Sequence, residues 1–165
     1  MRSGVRLGID VGKARIGVAR SDLHGMLATP VETVPRAADG DADLARLSAI
    51  ASELDAFEVI VGLPLNMRGE RTPSTDDATD FAALLAERLA EHGVPVRLVD
   101  ERLSTVSAQG QLRQAGKKTK QSRSIIDQAA AVVILQHALD SERAQGTAPG
   151  SPVSVTGAIA KETDA

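Results

Sequence analysis

The order of the apolar segments limits the folds open to this chain more than any other feature. Residues 5–11 (VRLGIDV) and 15–20 (RIGVAR) are short apolar runs separated by a glycine turn, which predicts a β-hairpin. Residues 27–34 predict a third strand, placed at a lateral edge of the sheet because Pro30 has no N–H to donate to a neighbouring strand. The first part of the chain is therefore expected to form an antiparallel meander.

The next segments alternate between helical and strand patterns. Residues 41–54 have apolar side chains at helical spacing, and residues 76–92 show the same pattern. Short apolar runs at residues 57–62 and 96–100 follow them, so that strand and helix alternate as in parallel crossovers. The predicted fold is α/β, with a mixed five-stranded sheet flanked by helices, and this arrangement resembles the RNase H-like fold.

The last part of the chain predicts two helices and a tail. Residues 104–114 and 124–140 are the helical segments, and the second is strongly apolar. From residue 143 onward Gly, Pro, Ser, Thr and Ala dominate without periodicity, which is typical of disorder. We therefore expect one domain over residues 1–142 and a disordered C-terminal tail over residues 143–165.

The composition excludes several kinds of site. The chain has no Cys, which excludes disulfides, thiolate zinc sites and cysteine nucleophiles. It shows no export signal and no apolar run of the roughly 20 residues that a membrane span needs, so we expect a cytoplasmic protein without a membrane partner. The net charge is −3, and Phe57 and Phe81 are the only aromatic residues. Nucleic-acid binding therefore requires a local basic patch, because no platform for base stacking is expected.

Three acidic residues lie at positions that indicate either a functional role for the carboxylate or a partner that offsets the cost of burying its charge. Asp10 is inside the first strand between apolar neighbours, where its charge is costly to bury unless a cation or hydrogen bonds offset it. Glu101 follows a strand at the end where α/β sheets bind ligands, and only one of Asp100 and Glu101 can face Asp10. Asp127 lies in the first turn of the last predicted helix. The ordinary alternatives are a turn-capping Asp10, a Glu101 that is either a solvated surface acid or a partner of Arg102, and a helix-capping Asp127.

Carboxylates from three separate elements form the donor set that Mg²⁺ or Mn²⁺ prefers. Asp10, Glu101 and Asp127 are accordingly the candidate metal ligands and catalytic residues. Two such ions about 4 Å apart can activate a water and stabilise the leaving oxygen of a phosphodiester. This chemistry needs no His nucleophile, and the three His show no ligand spacing.

Basic residues next to these acids predict contacts with phosphate. Lys13 and Arg15 lie in the first hairpin, directly after Asp10. A basic loop precedes Asp127 and contains Lys117, Lys118, Lys120 and Arg123. A cationic rim beside a carboxylate cluster suits a phosphate backbone, and solvated surface charge is the alternative for both groups.

Four segments occur together in an order that is more specific than any single acid. They are LGIDVGKARIGVARSD at 7–22, VIVGLPLNMRGE at 59–70, VDERLSTVSA at 99–108 and SIIDQAAAVVILQHAL at 124–139. In this order they resemble the YqgF family, also called pre-16S rRNA nucleases or Holliday junction resolvase-like proteins, and RuvX in some bacteria.

The resemblance implies an RNase H-like fold and metal-dependent phosphodiester hydrolysis that matures the 5′ end of the 16S rRNA precursor. The family's acidic positions fall on Asp10, Glu101 and Asp127. The resemblance implies that Asn66, in the GLPLNM loop, contacts substrate. Arg102 is a further predicted substrate contact. Arg68 departs from the family pattern, because an acid commonly follows that Met.

Alternative functions from different classes stay open at this stage. The leading hypothesis is an endonuclease that acts on structured RNA as a monomer or homodimer. A Holliday junction resolvase acting on DNA would use the same chemistry and would need a dimer to cut two strands symmetrically. A non-catalytic nucleic-acid-binding or transcription factor could keep the fold. An ATP-dependent phosphotransferase would rest on the first hairpin, but such enzymes close two domains around nucleotide and this chain has the length for one.

Overall fold

Strands and helices alternate along the chain much as the apolar pattern predicts. The computed structural model describes residues 1–101 and 120–155, with the backbone alone for residues 120–124. The strands are β1 (Val5–Val11), β2 (Arg15–Ser21), β3 (Ala28–Pro35), β4 (Ala56–Leu63), β5 (Val96–Asp100) and β6 (Ser151–Pro152). The helices are α1 (Ala42–Glu53), α2 (Pro73–Ala90) and α3 (Lys120–Gln145). None of these helices is both long enough and apolar enough to cross a membrane.

The strands form one mixed sheet in the order β3-β2-β1-β4-β5-β6. β1, β2 and β3 pair antiparallel as a meander, while β1, β4 and β5 run parallel through the crossovers made by α1 and α2. The predicted fold class is confirmed, and β3 lies at the lateral edge as Pro30 indicates. The described sheet has six strands where five were predicted, because β6 pairs antiparallel with β5.

The added strand corrects the predicted tail. Disorder was expected from Arg143 onward, but α3 continues past this residue and the chain then returns to the sheet. Arg97 holds the returning segment by donating from Nε to the carbonyl oxygen of Pro149 at 2.6 Å. Main-chain pairing of this kind requires no apolar periodicity, so composition alone does not indicate it. The expectation of disorder is wrong for residues 143–155, and residues 156–165 lie outside the described part.

The start of α3 differs from the prediction as well. The helix begins at Lys120, whereas a basic loop was expected up to Arg123 and a helix start at Ser124. Lys, Gln and Arg are good helix formers, so a polar segment without an apolar face can extend a helix. Asp127 therefore does not lie in the first turn, and the helix-capping alternative for it is wrong. The predicted helix over residues 104–114 lies outside the described residues.

Alternation along β1 assigns the two faces of the sheet. Leu7 and Ile9 point into a core shared with α1 and α2. The face of Gly8 is covered by α3, where an added Cβ would lie 2.6 Å from Cβ of Leu135. Asp10 is two residues beyond Gly8 and faces α3 as well, because side chains two apart in a strand share a face.

A buried cluster of charges ties the C-terminal half of α3 to the amino end of β1. Arg2 donates to Glu58 at 2.9 Å and to Glu142 at 2.8 Å. The guanidinium of Arg6, which is 1% exposed, lies 3.4 Å from the Glu142 carboxylate. Both arginines also stack on the ring of Phe57, at 5.0 and 4.8 Å from its centroid. The hydrogen bonds from Arg2 are the main reason that the pKa of Glu142 is lowered to about 2.

Replacing Glu142 with Gln is expected to lower the free energy of unfolding at pH 7 by about 3 kcal/mol, since Arg6 then stays buried without its counter-ion. The pKa of Glu142 is depressed on folding, so its contribution is complete above the ordinary value of 4.5 and is lost as the pH falls towards 2. Urea unfolding at pH 7 and pH 3 should therefore show the gap between wild type and variant shrinking. The exposed Asp140, changed to Asn, is the control and should alter stability by about 0.5 kcal/mol at most. A gap of equal size at both pH values would contradict this role.

Candidate metal and nucleic-acid site

Asp10 lies near the carboxyl end of β1 with a glycine beside it on each neighbouring strand. On β2 its register partner is Gly17. On β4, Gly62 directly follows Val61, which is the register partner of Ile9. The sheet therefore presents no side chain on either side of the Asp10 carboxylate, and the space above it is open to other elements.

The two glycines admit the other two predicted acids. A Cβ at Gly17 would overlap the backbone carbonyl of Asp127, so that α3 can approach β2 only because Gly17 has no side chain. A Cβ at Gly62 would overlap Oε2 of Glu101 in the same way. An isolated glycine inside a strand pattern is a known sign of such close approach. Gly17 lies inside a predicted strand and therefore carries this signal, whereas Gly62 is the last residue of its predicted strand; neither was predicted as a site residue.

The three acids share one electrostatic environment. Burial is the main reason that the pKa of Asp10 is raised to about 8, and the charges of Glu101 and Asp127 raise it further. Glu101 is 6% exposed, whereas Asp100 is exposed, in agreement with the expectation that only one of the two turns towards Asp10. Crowded, partly desolvated carboxylates of this kind are stabilised by a positive charge placed among them.

Arg15 supplies positive charge on one side of this cluster. Its Nε donates to Oδ2 of Asp127 at 2.9 Å. In residues 1–101 and 120–155, no acceptor lies within hydrogen-bond distance of its Nη groups. A predicted phosphate contact and a predicted metal ligand are thus brought together. Lys13 is exposed in the turn before Arg15.

Arg36 fixes the hairpin turn that separates Asp10 from Arg15. Its Nη1 donates to the carbonyl oxygen of Gly12 at 2.8 Å, and both Nη atoms donate to the carboxylate of Asp77 at 2.9 and 3.0 Å. These hydrogen bonds raise the pKa of Arg36 and lower that of Asp77. Sequence reasoning missed Arg36, because its partners lie far from it along the chain.

Asn66 lies in an exposed turn after β4, and its side chain holds that turn together. Oδ1 accepts from the N–H groups of Arg68 and Glu70, both at 2.9 Å. Nδ2 donates to Oε1 of Glu70 at 3.0 Å. The structure thus gives Asn66 a supporting role in the turn, and direct contact of Asn66 with substrate stays a prediction.

The remaining predicted substrate contacts are only partly placed. Lys120 and Arg123 belong to the first turns of α3, and their side chains are not described. Arg102, Lys117 and Lys118 lie outside the described residues. The basic patch before Asp127 is therefore still a prediction.

The donor chemistry of the acidic cluster fits a hard divalent cation, because all three side chains offer carboxylate oxygens. Within the described residues, however, no three His, Cys, Asp or Glu side chains are arranged to hold a metal as they stand. The Arg15 contact directs one oxygen of Asp127 to a guanidinium. The cluster thus provides suitable donors in an acidic environment and is not a preformed coordination cage.

The sheet order and the helices that flank it define an RNase H-like protein. RuvC of T. thermophilus in complex with a Holliday junction substrate superposes with a TM-score of 0.56 at 18% identity, covering 90% of this chain and 99% of that chain. A second structure, of Thermus thermophilus RuvC, gives a TM-score of 0.55 at 20% identity with the same coverage. These similarities show the fold.

The family model described as "RuvX: Holliday junction resolvase" matches residues 4–141, and the chain belongs to this family. A relative from Clavibacter michiganensis subsp. michiganensis is 60% identical over 153 residues, which is 93% of each chain. One from Leifsonia xyli subsp. xyli is 61% identical, covering 93% of this chain and 96% of its own. Both are named "Putative pre-16S rRNA nuclease". The family predicted from the four sequence segments is confirmed.

Changing Gly17 to Ala is expected to lower the free energy of unfolding by about 3 kcal/mol, because the new Cβ meets the backbone of α3, which cannot rotate away. Gly40→Ala is the matched control. A Cβ at Gly40 has nothing within 4 Å, and only the positive φ of 75° opposes it, at a cost of about 1 kcal/mol. Urea denaturation measures both. Equal losses in the two variants would show that α3 does not depend on Gly17.

Changing Asp10 to Asn is expected to stabilise the metal-free protein at high pH. The folded protein keeps the Asp10 proton up to about pH 8, whereas the ordinary pKa is 3.8. Between these values the folded state binds more protons than the unfolded state, so wild-type stability falls as the pH rises. In EDTA the variant should exceed wild type by about 1–3 kcal/mol at pH 9 and match it near pH 4. Asp39→Asn, at an exposed site, should show no such gap in stability. If Asp10→Asn also showed no gap, the result would argue against burial of the Asp10 charge.

Proposed function

We propose that this protein is a divalent-metal-dependent nuclease that hydrolyses phosphodiesters, with precursor 16S rRNA as its substrate and the precursor's 5′ end as the cutting site. The observation that carries the proposal is Asp10, set between two glycines that let Glu101 and Asp127 approach it. The names of the relatives, the family description and the RuvC-like fold support the same class of reaction. Asp10, Glu101 and Asp127 are the proposed catalytic residues and would hold Mg²⁺ or Mn²⁺.

Asp10, Glu101 and Asp127 would hold the divalent cations, two in the mechanism we favour, which would supply Lewis-acid chemistry for activating a water and stabilising the leaving oxygen of a phosphodiester. The protein's part is to assemble the acids and to place cations around them. The raised pKa of Asp10 means that this side chain gives up a proton when positive charge arrives at the cluster. Arg15 stands at the rim with its Nη groups available to a phosphate oxygen. Arg36 keeps the turn between Asp10 and Arg15 in place.

A second candidate is cleavage of branched DNA. The family description names a Holliday junction resolvase, and one structural neighbour is bound to a junction. The acidic cluster acts on phosphate, which RNA and DNA share, so its geometry does not favour one over the other. We rank the RNA substrate first, because relatives that are more than 50% identical to this chain are named for pre-16S rRNA.

The deciding experiment measures cleavage of a labelled pre-16S rRNA 5′ leader and of a DNA four-way junction, each with Mg²⁺ or Mn²⁺. Asp10→Asn, Glu101→Gln and Asp127→Asn are each expected to lower the rate by about 100-fold or more, because each removes a charged oxygen from the cluster. Asp100→Asn is the matched control for Glu101, since it is the adjacent acid and is exposed. It should keep wild-type activity within about threefold.

The outcomes separate the candidates. Cutting of the leader alone supports the RNA nuclease, and cutting of the junction alone supports the resolvase. A folded wild-type protein that binds both and cuts neither would contradict catalysis and support a binding factor. Equal losses in Asp100→Asn and Glu101→Gln would contradict the role given to Glu101.

A further inference from the structure

The turn at residues 66–70 presents an apolar side chain to solvent at the end of the sheet that holds the acids. Met67 is 72% exposed, more than any other large apolar residue described. Single exposed apolar residues are common on protein surfaces, so exposure alone does not define a site. Met67 differs from other exposed apolar residues in two respects, which are the hydrogen bonds that hold its turn and the position of that turn.

The turn is built to hold its tip in one conformation. The Asn66 N–H donates to the carbonyl oxygen of Glu70 at 3.0 Å, and the Gly69 N–H donates to that of Asn66 at 2.9 Å. The Asn66 side chain adds its own hydrogen bonds within the turn. A β-bridge between Leu65 and Arg71 closes its base. Such preorganisation lowers the entropy lost when the tip binds a partner.

The turn also lies beside the acidic cluster. It follows β4, whose Gly62 makes room for the Glu101 carboxylate. The Glu101 N–H donates to the carbonyl oxygen of Leu63, the last residue of β4, at 3.3 Å. Thr75 at the start of α2 donates to the carbonyl oxygen of Pro64, which fixes the base of the turn. The base of the turn is thus linked through the end of β4 to Glu101, one of the three acids.

The charged side chains of the turn differ in the partners they have within the described residues. Arg71 pairs with Asp76 at 2.8 Å, and Glu70 accepts from Asn66. Arg68 is exposed and forms no ion pair within the described ranges. The tip therefore offers one guanidinium, which recognises phosphate, and one flexible thioether, which packs well against aromatic rings.

We propose that this turn contacts the substrate strand next to the cut, with Arg68 on a backbone phosphate and Met67 against an unpaired nucleobase. The inference rests on the proposed nuclease function and narrows its substrate class. A base inside a duplex has both faces covered, so a Met67 contact requires a nucleotide that is single-stranded or at a branch. Asn66 supports the tip through its side-chain hydrogen bonds within the turn.

The test measures binding of labelled RNA by fluorescence anisotropy from 50 to 250 mM KCl, with Asp10→Asn throughout to prevent cutting. Three RNAs of one sequence are compared: single-stranded, fully paired, and paired with one unpaired nucleotide. Arg68→Gln should reduce the slope of log K against log salt by about 0.7 on the single strand. Met67→Ala should weaken binding to the two RNAs with unpaired bases by about fivefold, with the slope unchanged and fully paired RNA unaffected.

Arg71→Gln is the matched control, because Arg71 lies in the same turn, at its base, and is paired with Asp76. It should change neither affinity nor slope. The same slope in Arg68→Gln and the parent would overturn the phosphate contact, and an equal loss on all three RNAs in Met67→Ala would overturn the base contact. If protein with Asp10 intact cuts RNA while both tip variants bind normally, only this inference fails. If it neither binds nor cuts nucleic acid, the proposed function fails.

Discussion

The close approach of α3 to the sheet at Gly17 is the constraint on which the rest of the site depends. It brings the Asp127 backbone onto β2 beside Asp10, and an added methyl group there would force the two elements apart. The opposite end of the same helix is fixed by Glu142, which is paired with Arg2 and Arg6. Two contacts thus fix α3 against the sheet. Gly17, which has no side chain, lets the helix approach β2, and Glu142 forms ion pairs with Arg2 and Arg6 near the other end of the helix.

The residues of the site and the residues of the core therefore belong to the same packed strands and helices. Asp10 belongs to the strand whose Leu7 and Ile9 build the core beneath α1 and α2. Burial, together with the charges of Glu101 and Asp127, raises the pKa of the Asp10 carboxyl at the end of that strand. Arg15 and Arg36 act at the surface of the same region, one facing Asp127 and the other fixing the turn.

Much of the fold could be predicted from sequence because it depends on local patterns. The apolar runs predicted the meander and both crossovers, and strand alternation predicted that only one of Asp100 and Glu101 faces Asp10. The start of α3 at Lys120 was not predicted, because a polar helical turn has no apolar face that marks it in the sequence. β6 was missed because it pairs through its main chain, and Arg36 because Gly12 and Asp77 are near it only after folding. The roles of Gly17 and Gly62 became evident from strand register.

Both lateral edges of the described sheet are modified in ways that hinder further strand pairing. β3 carries Pro30 and Pro35, which lack the N–H that a neighbouring strand would need. On the other side, Leu98 and Arg97 of β5 are covered by the two-residue strand β6. A long open edge is a template for association of β-rich chains. The C-terminal segment therefore covers part of the edge of the strand that leads into Glu101, and truncation before it would expose that edge.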